Sequence, residues 1–143
     1  MKKIYFFLPV ILLYTSCNNN NLVDIEKASA EAENFIANQF DFFTNSSLEQ
    51  AKMTFADNAI LIGTDAAEYL TGWEEIEPSV KGQLIIKDPV FTSRNLNIFM
   101  SDDGKMASYT QELDFTYSID GEPGEVKDVR NSGVIKKNDN KWE

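Results

Sequence analysis

The sequence predicts an α+β domain, with helical segments first and long antiparallel strands after them. Three observations carry this. Apolar residues recur at a helical period up to about residue 76, the pattern changes to alternation from Val90 onward, and turn-forming Asp, Asn and Gly separate the alternating runs.

From about Asp24 to Phe43, Ile25, Ala28, Ala32, Phe35, Ile36, Phe40 and Phe43 line one helical face, with acids and amides between them. Asp24 caps the start and Asn45-Ser46-Ser47 breaks the run. Ser47-Leu48-Glu49-Gln50 has capping-box order and opens a second short helix that turns Leu48, Ala51 and Phe55 inward. Ala59 to Gly63 reads as a short buried strand. Gly72 to Ile76 opens a third helix, in which Pro78 fits only near the first turn. Val90 to Met100 then alternates, with Leu96, Ile98 and Met100 on one face. Asp102-Asp103-Gly104 turns the chain. Lys105 to Ile119 returns with Ala107, Tyr109, Leu113, Phe115 and Tyr117 on one face. A turn at residues 120–124 leads into a strand from Val126 to Lys137, and Asn138-Asp139-Asn140 turns again before Lys141-Trp142-Glu143. That ending reads as the opening of one more strand, so a last strand missing from this sequence is expected, with an unpaired edge beside it.

Ahead of the domain, Lys2 and Lys3 precede an apolar run from Ile4 to Tyr14, followed by Thr15, Ser16 and Cys17. The run is shorter than the roughly 20 residues of a membrane span and has the layout of a secretory signal. Because the sole cysteine follows the expected cut, the segment resembles a bacterial lipoprotein signal. That resemblance implies residues 1–16 as signal peptide, Cys17 as the lipidated first residue of a protein in the bacterial cell envelope, and residues 17–23 as a tether to a domain spanning 24–143. The alternative is an ordinary secretory peptide with an accidental cysteine.

Composition narrows the chemistry. The 13 basic residues include Lys2 and Lys3, which leaves 11 against 23 acids after the signal, a formal charge near −12. Such a surface repels nucleic acid and anionic headgroups, so membrane attachment rests on the lipid alone. The chain has no histidine, which excludes Ser-His-Asp and Cys-His machinery and histidine metal sites within these residues. With one cysteine it has no internal disulfide and no thiolate zinc site. No cofactor or metal is called for: Asp102-Asp103-Gly104 lacks the downstream ligands of a calcium loop.

The stretch from Phe55 to Ile76 makes the architecture specific. Its Ala56-Asp57 ahead of the first strand, Ile62-Gly63-Thr64-Asp65 closing it and Gly72-Trp73-Glu74-Glu75-Ile76 opening the third helix resemble the SnoaL-like branch of the nuclear transport factor 2-like superfamily. Arg130 to Val134 and Lys141-Trp142 resemble that family's penultimate strand and final turn. The resemblance implies a cone, a curved antiparallel sheet wrapped on three helices with a pocket at its open end. The superfamily holds isomerases, dehydratases, cyclases and non-catalytic binding or assembly modules, often dimeric. Related steroid isomerases hold a general-base Asp near the end of the first strand, where this chain has Gly63. Polyketide cyclases of the branch use His and Asp, and this chain has no His.

The pocket candidates are Asp65, Glu68, Trp73, Tyr109 and Arg130. Asp65 or Glu68 at the pocket mouth is a base with a raised pKa, or more commonly a cap or ion-pair partner. Trp73 is expected to pack the third helix onto the sheet, and Tyr109 is both core and pocket wall. Alternation places Arg130 with Asp128, Ser132 and Val134, a face expected to point inward. There it binds a carboxylate or phosphate, or pairs with Asp65 or Glu68. Three functions follow in order: binding of a small apolar or amphipathic ligand in the cone, a dimeric interaction module with a filled cone, and an isomerase- or dehydratase-type enzyme using Glu68 or Asp65.

Overall fold

The computed structural model describes residues 23–143. Cys17, the leading segment and most of the tether lie outside the described residues. Helix α1 (Ile25–Asn38), the single turn α2 (Asp41–Thr44) and α3 (Leu48–Thr54) lead into a two-stranded hairpin, β1 (Ile60–Ile62) and β2 (Tyr69–Thr71). Helix α4 (Trp73–Gln83) follows, and then the main sheet: β3 (Lys87–Met100), β4 (Met106–Ile119), β5 (Glu122–Asn138) and β6 (Lys141–Trp142), in the order β3-β4-β5-β6 and antiparallel throughout. Three helices and the α2 turn pack on a curled antiparallel sheet, the α+β half-barrel that the sequence predicts.

The caps fall where the sequence puts them. Asp24 accepts from Lys27 N at 2.9 Å and Ser47 from Gln50 N at 3.2 Å. Four expectations need correction. The first helix is broken at Gln39-Phe40, so that Phe42 and Phe43 can turn under the sheet as a separate element. Tyr69–Thr71 forms a strand against β1 where no second strand is expected, and β1 is not the buried strand expected, since Ile60 and Ile62 are exposed on this hairpin. Pro78 lies in the second turn of α4 rather than the first. It removes a bond to the carbonyl of Glu74, an exposed residue that water can reach.

The curl has a local cause. Register shifts interrupt the ladder between Lys87 and Val90, between Arg94 and Asn97, and between Leu113 and Phe115. Each contains an Asp or Asn at positive φ: Asp88 at 49°, Asn95 at 51° and Asp128 at 56°. An extra residue on one strand bends it, and Asp and Asn tolerate the left-handed conformation that the extra residue takes.

The core has two parts. On one side α1 sets Ala32 and Ile36 against Ala107, Tyr109, Ile135 and Trp142. On the other, α2, α3 and α4 bring Phe42, Phe43, Ala51, Ile76 and Val80 together beneath Phe91. Ile36 at 1% exposure and Ile76 at 0% are the centres of these two clusters.

Candidate functional site

The loop between β1 and β2 carries the expected acid-base residues, and both of its carboxylates are engaged by the loop itself. Glu68 Oε2 accepts from Thr64 N at 2.7 Å and Asp65 N at 3.0 Å. Asp65 Oδ1 accepts from Ala67 N at 2.9 Å, an Asx-type turn. Asp65 is exposed and Glu68 half-buried. Gly63 lies directly under the Glu68 side chain.

Inside the half-barrel, aromatic rings occupy the space above the helices. Centroid distances of 6.0 Å from Trp73 to Phe55, 6.4 Å to Phe42, 4.3 Å to Phe43, 5.9 Å to Phe91, 5.5 Å to Phe115 and 5.7 Å to Tyr117 make one continuous file. Trp73 is thus part of the packing between α4 and the sheet. Tyr109 is 6% exposed, and its hydroxyl donates to Gln39 Oε1 at 2.7 Å, which supplies the partner a buried phenol needs. Burial raises its pKa above the ordinary phenol value, and the Gln39 bond offsets part of that. The ring lies over Gly133, its register partner on β5.

Beside Tyr109 runs a polar strip that alternation alone does not single out. Ser93 Oγ donates to Gln111 Oε1 at 2.6 Å, and Gln111 Nε2 donates to Asn131 Oδ1 at 2.9 Å, so one neutral chain crosses β3, β4 and β5. Gln111 is 4% exposed. Its place in the inward phase of β4 is the available sequence signal.

Arg130 faces the other way. The inward residues of β5 are Val129, Asn131 and Ile135, whereas Val134 is 66% exposed, so the face shared by Asp128, Arg130, Ser132 and Val134 is the outer one. Its register partner is Glu112, and among the described residues it forms no ion pair with Asp65 or Glu68. The expectation of Arg130 on the pocket wall is therefore corrected. The adjacent apolar residues Val134-Ile135 give no phase, and the bulge at Asp128 resets the alternation. On that outer face Arg94 bonds Asp114 and Asp128, each at 2.9 Å, and lies 3.5 Å from Glu112. Those carboxylates raise the Arg94 pKa, Asp128 most strongly. Asp114 is held below the ordinary carboxylate value, first by the N–H of Asp128 and then by Arg94.

Among the described residues, grooves open on the surface at two places of interest. One, of about 490 Å³, lies at the sheet end beside Tyr117, Pro123 and Gly124. The other, of about 470 Å³, lies between α1, α3 and the final hairpin. Its apolar surface comes from Phe35, Met53 and Trp142, and its polar groups include the carboxamides of Asn34, Asn38, Gln50 and Asn140. Asn38 Nδ2 donates to the Asn34 carbonyl at 2.8 Å and Asn34 Oδ1 at 3.2 Å, which leaves Asn38 Oδ1 and Asn34 Nδ2 for other partners. Asn45 Nδ2 donates to Gln50 Oε1 at 2.9 Å, which leaves Gln50 Nε2. Lys137 forms an ion pair with Glu31 and stands 5.7 Å over the Trp142 ring. That ion pair holds Glu31 below its ordinary pKa. Trp142 Nε1 is buried with no well-formed hydrogen bond. None of Asp65, Glu68, Trp73, Tyr109 and Arg130 lines either groove. The groove carboxamides were legible only as polar spacing on α1, with Asn34 and Asn38 one turn apart.

The sequence profile of the SnoaL-like domain matches residues 32–143. No curated protein matches the chain. Among solved structures, a provisionally named scytalone dehydratase from Novosphingobium aromaticivorans superposes with a TM-score of 0.71 at 14% identity, covering 84% of this chain and 81% of that one. A provisionally named dehydratase of the nuclear transport factor 2-like family from Streptomyces avermitilis gives 0.67 at 11% identity, covering 82% and 91%. A provisionally named calcium/calmodulin-dependent protein kinase II association domain from Xanthomonas campestris gives 0.59 at 24% identity, covering 75% and 78%. At these identities the likeness establishes the fold alone.

Proposed function

The chain belongs to the SnoaL-like domain family, and from that premise we propose that it is a non-catalytic domain binding a small amphipathic ligand, held at the bacterial cell envelope by a lipid on Cys17. The ligand site is the groove between α1, α3 and the final hairpin, not the interior of the cone. The observation that carries this reading is the groove's make-up. About 470 Å³ falls within the roughly 300–1,000 Å³ of small-molecule sites, and Phe35, Met53 and Trp142 supply apolar surface beside the groove's polar side chains. Against catalysis stand the carboxylates of Asp65 and Glu68, both engaged by loop amides, and the neutral strip of Ser93, Gln111 and Asn131 on the concave face.

Native mass spectrometry of the protein, purified gently from a bacterial host of its own kind, tests the reading. The expected spectrum carries an additional mass that disappears on denaturation and in the double variant Asn38→Ala/Asn140→Gly. A clean apo spectrum counts against it. The same preparation reports on the anchor, since lipidated Cys17 gives a mature mass beginning at that residue with its acyl chains.

One observation favours a second reading, a dimeric interaction module. Phe99, Ser108 and Val134 stand in one cross-strand row on the outer face, with Phe99 67% and Val134 66% exposed. Light scattering decides it: a dimer that Phe99→Asp converts to monomer supports this role, and a wild-type monomer removes it.

A further inference from the structure

The geometry points to a neutral saccharide as the ligand of the α1–α3–β6 groove, an inference that rests on the binding reading above. Charge comes first. Glu31 is already neutralised by Lys137, and Lys141 is the other charged residue lining the groove. Both arginines that could fork a carboxylate or phosphate, Arg94 and Arg130, stand on the outer face of the sheet. An anionic ligand therefore meets the single ammonium of Lys141 and no guanidinium, and it approaches a chain of strongly negative net charge. A cationic ligand meets no uncompensated carboxylate in the groove.

Besides Glu31, Thr54 and Lys141, the polar side chains lining the groove are carboxamides, each with a donor and an acceptor in one plane. Asn34 and Asn38 lie one helical turn apart, with side-chain origins about 5–6 Å from each other. Their internal bond leaves one acceptor, Asn38 Oδ1, and one donor, Asn34 Nδ2. Gln50 lines the groove from α3 with its Nε2 not engaged by Asn45, and Asn140 lines it from the final hairpin. Hydroxyl groups also donate and accept, so a row of them satisfies this set without any change of charge. The C–H face of a sugar ring is the apolar counterpart for Phe35 and Met53. A fatty chain would leave the carboxamides without partners and lose water from them, which costs free energy.

Saturation-transfer NMR on the full chain in mild detergent tests the inference, with neutral glucose-, galactose- and N-acetylglucosamine-based di- to tetrasaccharides as probes. Dodecanoate and a neutral tripeptide are run beside them. The expected result is transfer to at least one neutral saccharide, weakened roughly tenfold or more by Asn38→Ala and by Asn140→Gly, glycine being chosen because Asn140 has φ 65°. Both residues are exposed, and an unchanged melting curve shows that each variant is folded. Transfer to dodecanoate or to the peptide, with silence across the saccharides, overturns the saccharide assignment and leaves the groove reading standing. Silence from every probe together with a clean native mass spectrum overturns both. Saccharide transfer unaffected by either substitution also overturns the assignment, because the sugar then binds elsewhere.

Discussion

Glu68 folds its carboxylate over Gly63, so that a β-carbon at residue 63 would fall inside the Glu68 side chain. The same residue holds the loop at both ends: its carbonyl accepts from Gly63 N at 2.8 Å and its carboxylate accepts from Thr64 N and Asp65 N. The packing of a neighbouring acid thus occupies the space a side chain at residue 63 would need. Gly63→Ala is expected to destabilise the fold by about 1–3 kcal/mol, the usual cost of overpacking. Urea unfolding measures it. In a Glu68→Gly background the cost of Gly63→Ala should shrink, because that substitution also removes the Glu68 β-carbon that the new methyl would meet at 2.7 Å. Equal costs in both backgrounds contradict the contact.

Tyr109 donates its buried hydroxyl to Gln39, so Tyr109→Phe leaves Gln39 Oε1 short of a partner. A loss of about 0.5–1.5 kcal/mol is expected. The raised phenol pKa gives this residue a pH signature. Its stability contribution is present below the unfolded-state value near 10.0 and is lost as pH rises through the folded one. Wild-type stability should therefore fall more steeply above that pH than Tyr109→Phe stability does. Parallel alkaline limbs contradict this.

Asp114 behaves in the opposite sense. The Asp128 N–H and Arg94 depress its pKa below the ordinary 3.8, so its contribution is present above that value and is lost as pH falls through the folded one. Asp114→Asn keeps an acceptor for Asp128 N and removes the charge. Melting temperatures should drop for Asp114→Asn at pH 7, and the gap to wild type should narrow as pH falls below 3.8. A constant difference across that range assigns the effect to packing instead.

Asn95, at φ 51°, permits one of the bulges that curl the sheet. Asn95→Gly should be close to neutral, whereas Asn95→Val should cost about 1–2 kcal/mol for the left-handed backbone. Thermal unfolding of the two variants side by side is the check, and equal melting points contradict the assignment.

The architecture was readable where one physical signal dominated. Asp24 and Ser47 announced their caps, and the run Ala107, Tyr109, Leu113, Phe115, Tyr117 announced the inner face of β4. What escaped was set by single residues inside regular patterns. Asp88, Asn95 and Asp128 look like polar interruptions of strands, and only the register reveals them as bulges that reset which face is inward. That reset, with the uninformative pair Val134-Ile135, sent Arg130 to the wrong face. Gln111 sits in the inward phase but is polar, so an apolar tally passes over it. The groove is assembled from α1, α3 and the final hairpin, and nothing local to Asn34, Gln50 or Asn140 announces that they meet. Asp65 and Glu68 were visible as acids, but not as acceptors for their own loop.

Amide hydrogen exchange tests the central claim most directly. The protein is compared as purified from its host and after its ligand has been stripped by unfolding and refolding. The account predicts slower exchange in the purified form across residues 34–39 of α1 and its end, residues 50–54 of α3 and the turn at residues 138–142, with the rest of the domain unchanged. Identical exchange everywhere, or a difference centred on Gln111 and Asn131 or on the outer row of Phe99 and Val134, contradicts a ligand in this groove.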